Sequence, residues 1–128
     1  MKVFGFVIMS NHMHCIWQAM AGYIPQDIQH SFLKFTAQMI IKDLRNYHPQ
    51  VLDHFYVGAK DRKYQIWERN SLEVEIRNNQ VFNQKLDYIH YNPVKAGICA
   101  FPEDYIYSSA SLYLQNTSQW GWLTKWGD

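Results

Sequence analysis

Phe6-Val7-Ile8-Met9-Ser10-Asn11-His12-Met13-His14-Cys15-Ile16-Trp17 is the stretch on which the fold class turns. Residues 3 to 18 are rich in β-branched, aromatic and other apolar side chains, and they read as the first strand, buried on at least one side. Side chains alternate faces along a strand, so His12 and His14 project together while Met13 points away. Two imidazoles side by side on a rigid strand are half of a divalent-metal site. Taken alone, the triplet favours two half-buried histidines on an ordinary strand. The remainder of the chain changes that balance.

Beyond the strand, Gly22 and Pro25 mark a break, and Pro25 suits the first turn of a helix. Apolar residues then recur at Ile28, Phe32, Phe35, Met39, Ile40 and Leu44, steps of three and four that predict a helix from Gln26 to about Tyr47. Lys34, Gln38, Lys42 and Arg45 lie mainly off that stripe, as a solvated face or a phosphate-contacting one. His48-Pro49 ends the helix, and 51–63 reads as a loop. Tyr64–Glu68 and Ser71–Ile76 look strand-like, although the second could instead start a helix. A second helix is expected from near Val81 to Tyr91, with Phe82, Leu86 and Ile89 facing the core. It should stop by Asn92, because Pro93 disfavours the helical conformation of the residue before it. Gly97 permits a sharp turn. No repeat or linker divides the chain, which predicts a single α+β domain over 1–128 with helices packed on an antiparallel sheet.

Composition narrows the class. The 128 residues are 48% hydrophobic and 18% charged, with a net charge of +1, which describes a globular protein and does not announce a nucleic-acid binder. Cys15 and Cys99 lack metal-type spacing and are expected as small buried side chains outside any disulfide framework. With neither a leader sequence nor a membrane span in view, the expected location is cytoplasmic.

The second informative segment is Leu86-Asp87-Tyr88-Ile89-His90-Tyr91-Asn92-Pro93-Val94-Lys95-Ala96-Gly97. Tyr88 and Asn92 are four residues apart and share a helical face. A tyrosine beside an amide oxygen, brought up to two strand histidines, forms a recognisable chemical set. The histidines and the amide can hold a hard or borderline divalent ion that polarises a phosphodiester oxygen, while the phenolate attacks phosphorus. A phenol with a pKa of about 10 needs a nearby cation or base for this. Tyr91 is a second candidate nucleophile, and only the four-residue offset from Asn92 favours Tyr88. His90 reads either as a neighbour of the metal or DNA or as a surface histidine. Zincin, nucleophile-elbow and phosphate-loop motifs are missing. Glu73 and Glu75 alternate and could pair for acid–base work, but a solvated strand face is the favoured reading.

On these two segments the chain resembles the HUH-type single-tyrosine transposases, among them the insertion-sequence transposases and, more closely, the REP-associated tyrosine transposases. The matching motifs are Met9-Ser10-Asn11-His12-Met13-His14 and Tyr88 to Gly97, supported by the Trp67 segment, Pro102-Glu103-Asp104-Tyr105 and Tyr107-Ser108-Ser109. The resemblance implies an HUH, ferredoxin-like sheet and Mg²⁺ or Mn²⁺ chemistry on single-stranded DNA near a hairpin. By that likeness His12, His14 and Asn92 hold the metal and Tyr88 is the nucleophile, leaving a 5′-phosphotyrosine link and a free 3′-hydroxyl. Lys34, Lys42, Arg45, Lys60, Arg62, Lys63 and Lys95 are candidate phosphate contacts. Relatives that work as dimers can supply the tyrosine helix across the interface, so a homodimer is among the expected assemblies.

Two departures stand out. Ser10 replaces a common Pro, and only a few residues precede the histidine strand, where relatives usually carry another strand and a helix. The expected sheet therefore lacks that first strand. The alternative function is a truncated, catalytically weak or inactive relative that binds DNA hairpins.

Overall fold

The turn at Ser10-Asn11 breaks the expected first strand into a hairpin in the computed structural model, which describes residues 1–68 and 71–127. Strand β1 runs Lys2–Ile8 and β2 runs Met13–Gln18. They pair antiparallel, with Val7 opposite His14 and Gly5 opposite Ile16, and a bulge between Val3 and Gly5. The Met9 amide donates to the His12 carbonyl at 2.8 Å and closes the turn. Ser and Asn are turn formers, whereas a single strand would have required them to extend through the apolar run. The chain is α+β, its sheet being these two strands.

Four helices and one 3₁₀ turn complete the described elements. Helix α1 spans Pro25–Tyr47, α2 Pro49–Asp53, α3 Asn79–Lys95 and α4 Ala110–Leu114, and the 3₁₀ turn spans Pro102–Asp104. The chain divides into two compact units, Tyr23–Val74 on one side and Met1–Gly22 with the chain from Glu75 onward on the other.

In the hairpin unit, β1 is bonded along both edges. Opposite β2 it meets the later chain: Ile8 N–H donates to Tyr107 O at 2.9 Å, Ser109 N–H to Phe6 O at 3.0 Å and Thr124 N–H to Val3 O at 2.9 Å. The Tyr105 hydroxyl donates to the Ile8 carbonyl as well. One face of the hairpin packs Phe4, Val7 and Met9 against Phe82, Leu86 and Ile89 of α3, the side chains predicted to face the core. On the other face Phe6 meets the rings of Trp120 and Trp122 at centroid distances of 5.9 and 5.0 Å.

Helix α3 starts where Asn78 caps it, its side chain accepting from Val81 N–H at 2.8 Å. It does not stop at Asn92. Pro93 lies inside it and the helix continues to Lys95. Proline forfeits one amide bond but does not prevent the following residues from closing the last turn, where Ala96 N–H reaches Asn92 O at 3.0 Å. The end is a Schellman motif: Ile98 N–H bonds Pro93 O, Gly97 N–H bonds Val94 O, and Gly97 takes φ +78°.

Gly5 sets how closely α3 approaches the sheet. A Cβ there would stand 2.6 Å from Leu86 Cδ1. Leu86 is buried in the core cluster and has little room to move. Gly5→Ala is therefore expected to destabilise the chain by about 1 kcal/mol or more through overpacking, read as a lower midpoint in thermal or urea unfolding.

In the unit from Tyr23 to Val74, Pro25 occupies the first turn of α1 as predicted. The Trp67 indole N–H donates to Thr36 Oγ1 at 2.9 Å, so the Trp67 segment is held on this helix. The expected loop at 51–63 starts in α2, which the fixed φ of Pro49 favours at its first turn. The strand-like segments at 64–68 and 71–76 form no ladder among the described residues; only Tyr64 makes an isolated bridge, to Tyr56. A strand needs a partner as well as a pattern, and Leu72, at 92% exposed, gains almost no burial to reward extension.

Candidate active site

Val7 of β1 faces α3, so its cross-strand partner His14 emerges on the same side of the hairpin. His12 stands two residues earlier, at the mouth of the turn. The His12 and His14 rings lie 5.2 Å apart, and the Tyr88 ring lies 5.7 Å from His14, both pairs edge to face. Tyr88 comes from α3, so a helix tyrosine ring meets one imidazole of a hairpin pair. His12, His14 and Tyr88 are therefore brought together. Asn92 lies one turn beyond Tyr88 on the same helix and is half-buried.

The imidazoles are suited to lone-pair chemistry. His12 Nδ1 is 2.7 Å from Asn11 Oδ1. With the amide oxygen as acceptor, Nδ1 carries the proton and Nε2 keeps its lone pair free. Burial pushes the His14 pKa below the ordinary histidine value, and the neighbouring His12 pushes it further the same way. His14 is thus neutral at neutral pH, the form that ligates a metal or accepts a proton. Among the described residues no group of three His, Cys, Asp or Glu side chains forms a metal-holding cluster. A third protein donor would have to be of another kind, such as the Asn92 amide.

Tyr88 is 59% exposed, open to a large substrate, and Tyr91 is similarly open at 57%. The ring contact with His14 belongs to Tyr88.

His90 lies elsewhere than either expectation placed it. It is only 5% exposed, with Nε2 2.7 Å from Ser109 Oγ. Burial pushes its pKa down to about 4. Two residues along a helix turn the side chain by about 200°, so a histidine between Tyr88 and Asn92 must point away from both. Its four-residue spacing from Leu86 is the signal that identifies it as a core position.

The candidate phosphate contacts divide between the units. Lys34, Lys42 and Arg45 are exposed on α1, and Lys60 is exposed in the loop after α2. Arg62 is bound by Asp61 at 2.7 Å, and the Lys63 ammonium sits over the Tyr64 ring at 5.6 Å. Lys95 is exposed on α3 itself. Seven residues on from Tyr88, it returns to nearly the same face about 10 Å along the axis. Cys15 and Cys99 are free thiols, half-buried rather than buried. Burial pushes the Cys15 thiol up to about 12 and keeps it protonated and inert.

No described helix is long and apolar enough to cross a membrane. No protein-family model and no solved structure matches the chain. Among curated proteins it is 33% identical over 104 residues to a Haemophilus influenzae protein (strain ATCC 51907 / DSM 11121 / KW20 / Rd) carrying the provisional name REP-associated tyrosine transposase. The alignment takes in 80% of this chain and 54% of that protein, so the chain spans about half the length of the relative it matches. A hairpin histidine pair facing a helix tyrosine thus occurs in a chain similar, over four-fifths of its length, to a REP-associated tyrosine transposase.

Proposed function

We propose that this chain is a transposase-type enzyme of the HUH kind that nicks and rejoins single-stranded DNA through a 5′-phosphotyrosine intermediate. The observation that carries the reading is the contact of Tyr88 with His14, beside His12. The similar protein's name, a tyrosine transposase, points the same way.

In this reading Tyr88 Oη bonds to phosphorus, its proton passing to water at this exposed position, and the phosphorus–O3′ bond breaks. The departing 3′-oxygen takes up a proton and remains as a hydroxyl. Attack by that or another 3′-hydroxyl reverses the step, frees Tyr88 and needs no energy source. His12, His14 and Asn92 would offer two nitrogens and one amide oxygen, a mixed set that could hold a hard or borderline divalent ion such as Mg²⁺ or Mn²⁺. Such an ion, when bound, would supply Lewis-acid polarisation of a phosphodiester oxygen. Asn11 holds His12 in the ligating tautomer, and the desolvated His14 stays neutral. Lys95 follows the strand along the tyrosine face as a phosphate contact.

The test uses purified protein, labelled single-stranded DNA hairpins and Mn²⁺ on a denaturing gel. A protein-linked labelled band is expected, and DNA cleaved without any linked product would indicate a metal-bound water as nucleophile instead. A second reading, a hairpin-binding relative that does not cut, uses the exposed Lys34, Lys42, Arg45 and Lys95 without the tyrosine chemistry. Retained, salt-sensitive binding without a linked band would select it.

A further inference from the structure

We infer that His90 and Ser109 are positioning residues that set where Tyr88 stands relative to His14. The inference rests on the reading of Tyr88 as the nucleophile, but its structural core can be tested without activity.

Most of the packing of α3 on the hairpin is apolar, through Phe82, Leu86 and Ile89. Apolar burial is strong but non-directional, and it tolerates small slides and rotations of a helix. A directional link runs beside it. His90 Nε2 lies 2.7 Å from Ser109 Oγ, and the same oxygen accepts the Phe6 amide hydrogen at 3.0 Å. The Ser109 amide in turn donates to the Phe6 carbonyl at 3.0 Å. Phe6 pairs with Cys15, the residue after His14. The route therefore runs from α3 through one hydroxyl to β1 and across a single strand pairing to the histidine strand. Ser109 is 0% exposed, so water does not compete for these bonds.

The arrangement divides labour across one helix. Tyr88 and Asn92 look outward, while His90 between them looks into the core. Any rotation of α3 that displaces His90 displaces Tyr88 by a comparable angle in the same sense. A slip of one residue would move Tyr88 by about 1.5 Å and 100° and remove it from His14. Hydrogen bonds, which weaken steeply off their axis, oppose that slip in a way that leucine packing does not.

Three variants separate positioning from plain stabilisation. Ser109→Ala removes one oxygen, His90→Leu removes the bond at similar volume, and His90→Gln keeps a polar group of comparable reach. The structural readout is the nuclear Overhauser cross-peak between the Tyr88 and His14 rings in the metal-free protein. The second is the rate of adduct formation at saturating Mn²⁺, measured well below each unfolding midpoint. Ser109→Ala and His90→Leu are expected to lose the cross-peak and at least about tenfold in rate, with His90→Gln restoring both. Retention of cross-peak and rate in Ser109→Ala, with only the midpoint lowered, overturns the inference. Should His90→Leu fail to fold, Ser109→Ala decides alone. A wild type that forms no adduct, but whose cross-peak vanishes in Ser109→Ala, removes the nicking reading and leaves the positioning intact.

Discussion

Tyr88→Phe is expected to abolish the covalent protein–DNA product, by a factor on the order of a thousand or more, while DNA retention stays near wild type. The substitution deletes one oxygen and keeps the ring that meets His14 edge to face. Because Tyr88 is largely solvent-exposed, stability should shift by no more than about 0.5 kcal/mol. Loss of product then reports chemistry and not folding. Tyr91→Phe is the control, since it alters an equally exposed phenol one turn away and should leave the product intact. The opposite pattern, product lost in Tyr91→Phe and kept in Tyr88→Phe, would transfer the nucleophile to Tyr91.

Acidification from neutral pH to pH 4 should cost roughly 3 kcal/mol through His90 alone. In the unfolded chain the imidazole takes a proton near pH 6.5, whereas in the folded chain burial delays protonation to about pH 4. Below pH 6.5 the unfolded state therefore binds more protons, and stability declines until the folded pKa is reached. His14, also lowered by burial, adds to the loss in the same direction. Urea unfolding at pH 7 and pH 4.5, compared between wild type and His90→Gln, isolates the His90 share from carboxylate titration. An equal pH slope in the two proteins would show that His90 does not carry it.

The parts of the fold that were readable from sequence are those where local chemistry and tertiary packing agree. Phe82, Leu86 and Ile89 repeat at helical spacing, and the same spacing is what α3 needs to bury one face. His12 and His14 share a side whether they stand on one strand or follow a turn, so the pairing survived the hairpin. The histidine pair and Tyr88 were legible as candidates. Their meeting was not, because it depends on Gly5 admitting α3 close to β1, 81 residues before Leu86 in the chain. Ser10-Asn11 was hidden inside an apolar run whose hydrophobicity outweighed two polar residues. Pro93 misled for a different reason: its steric rule concerns an average helix interior, and here it falls one turn before a glycine-terminated end. The segments at 64–68 and 71–76 carry strand-like composition but, among the described residues, form no ladder beyond the Tyr64 bridge to Tyr56, which no local pattern reveals.

The double bonding of β1 has a consequence for how the molecule comes into being. Phe6 N–H is satisfied by a hydroxyl 103 residues later, and Phe4 O by the Tyr113 hydroxyl 109 residues later. The strand that pairs with the His14 strand is thus completed by residues roughly a hundred positions further along the chain. Until that later segment docks, the hairpin is a marginal two-stranded ribbon with an open edge. Long-range closure of this kind is slow, and it exposes the nascent edge to pairing with the wrong chain. The hairpin that carries the histidines is thus whole only once the segment from Tyr107 to Thr124 has closed on β1, so a lesion in that segment can undo a motif it never touches.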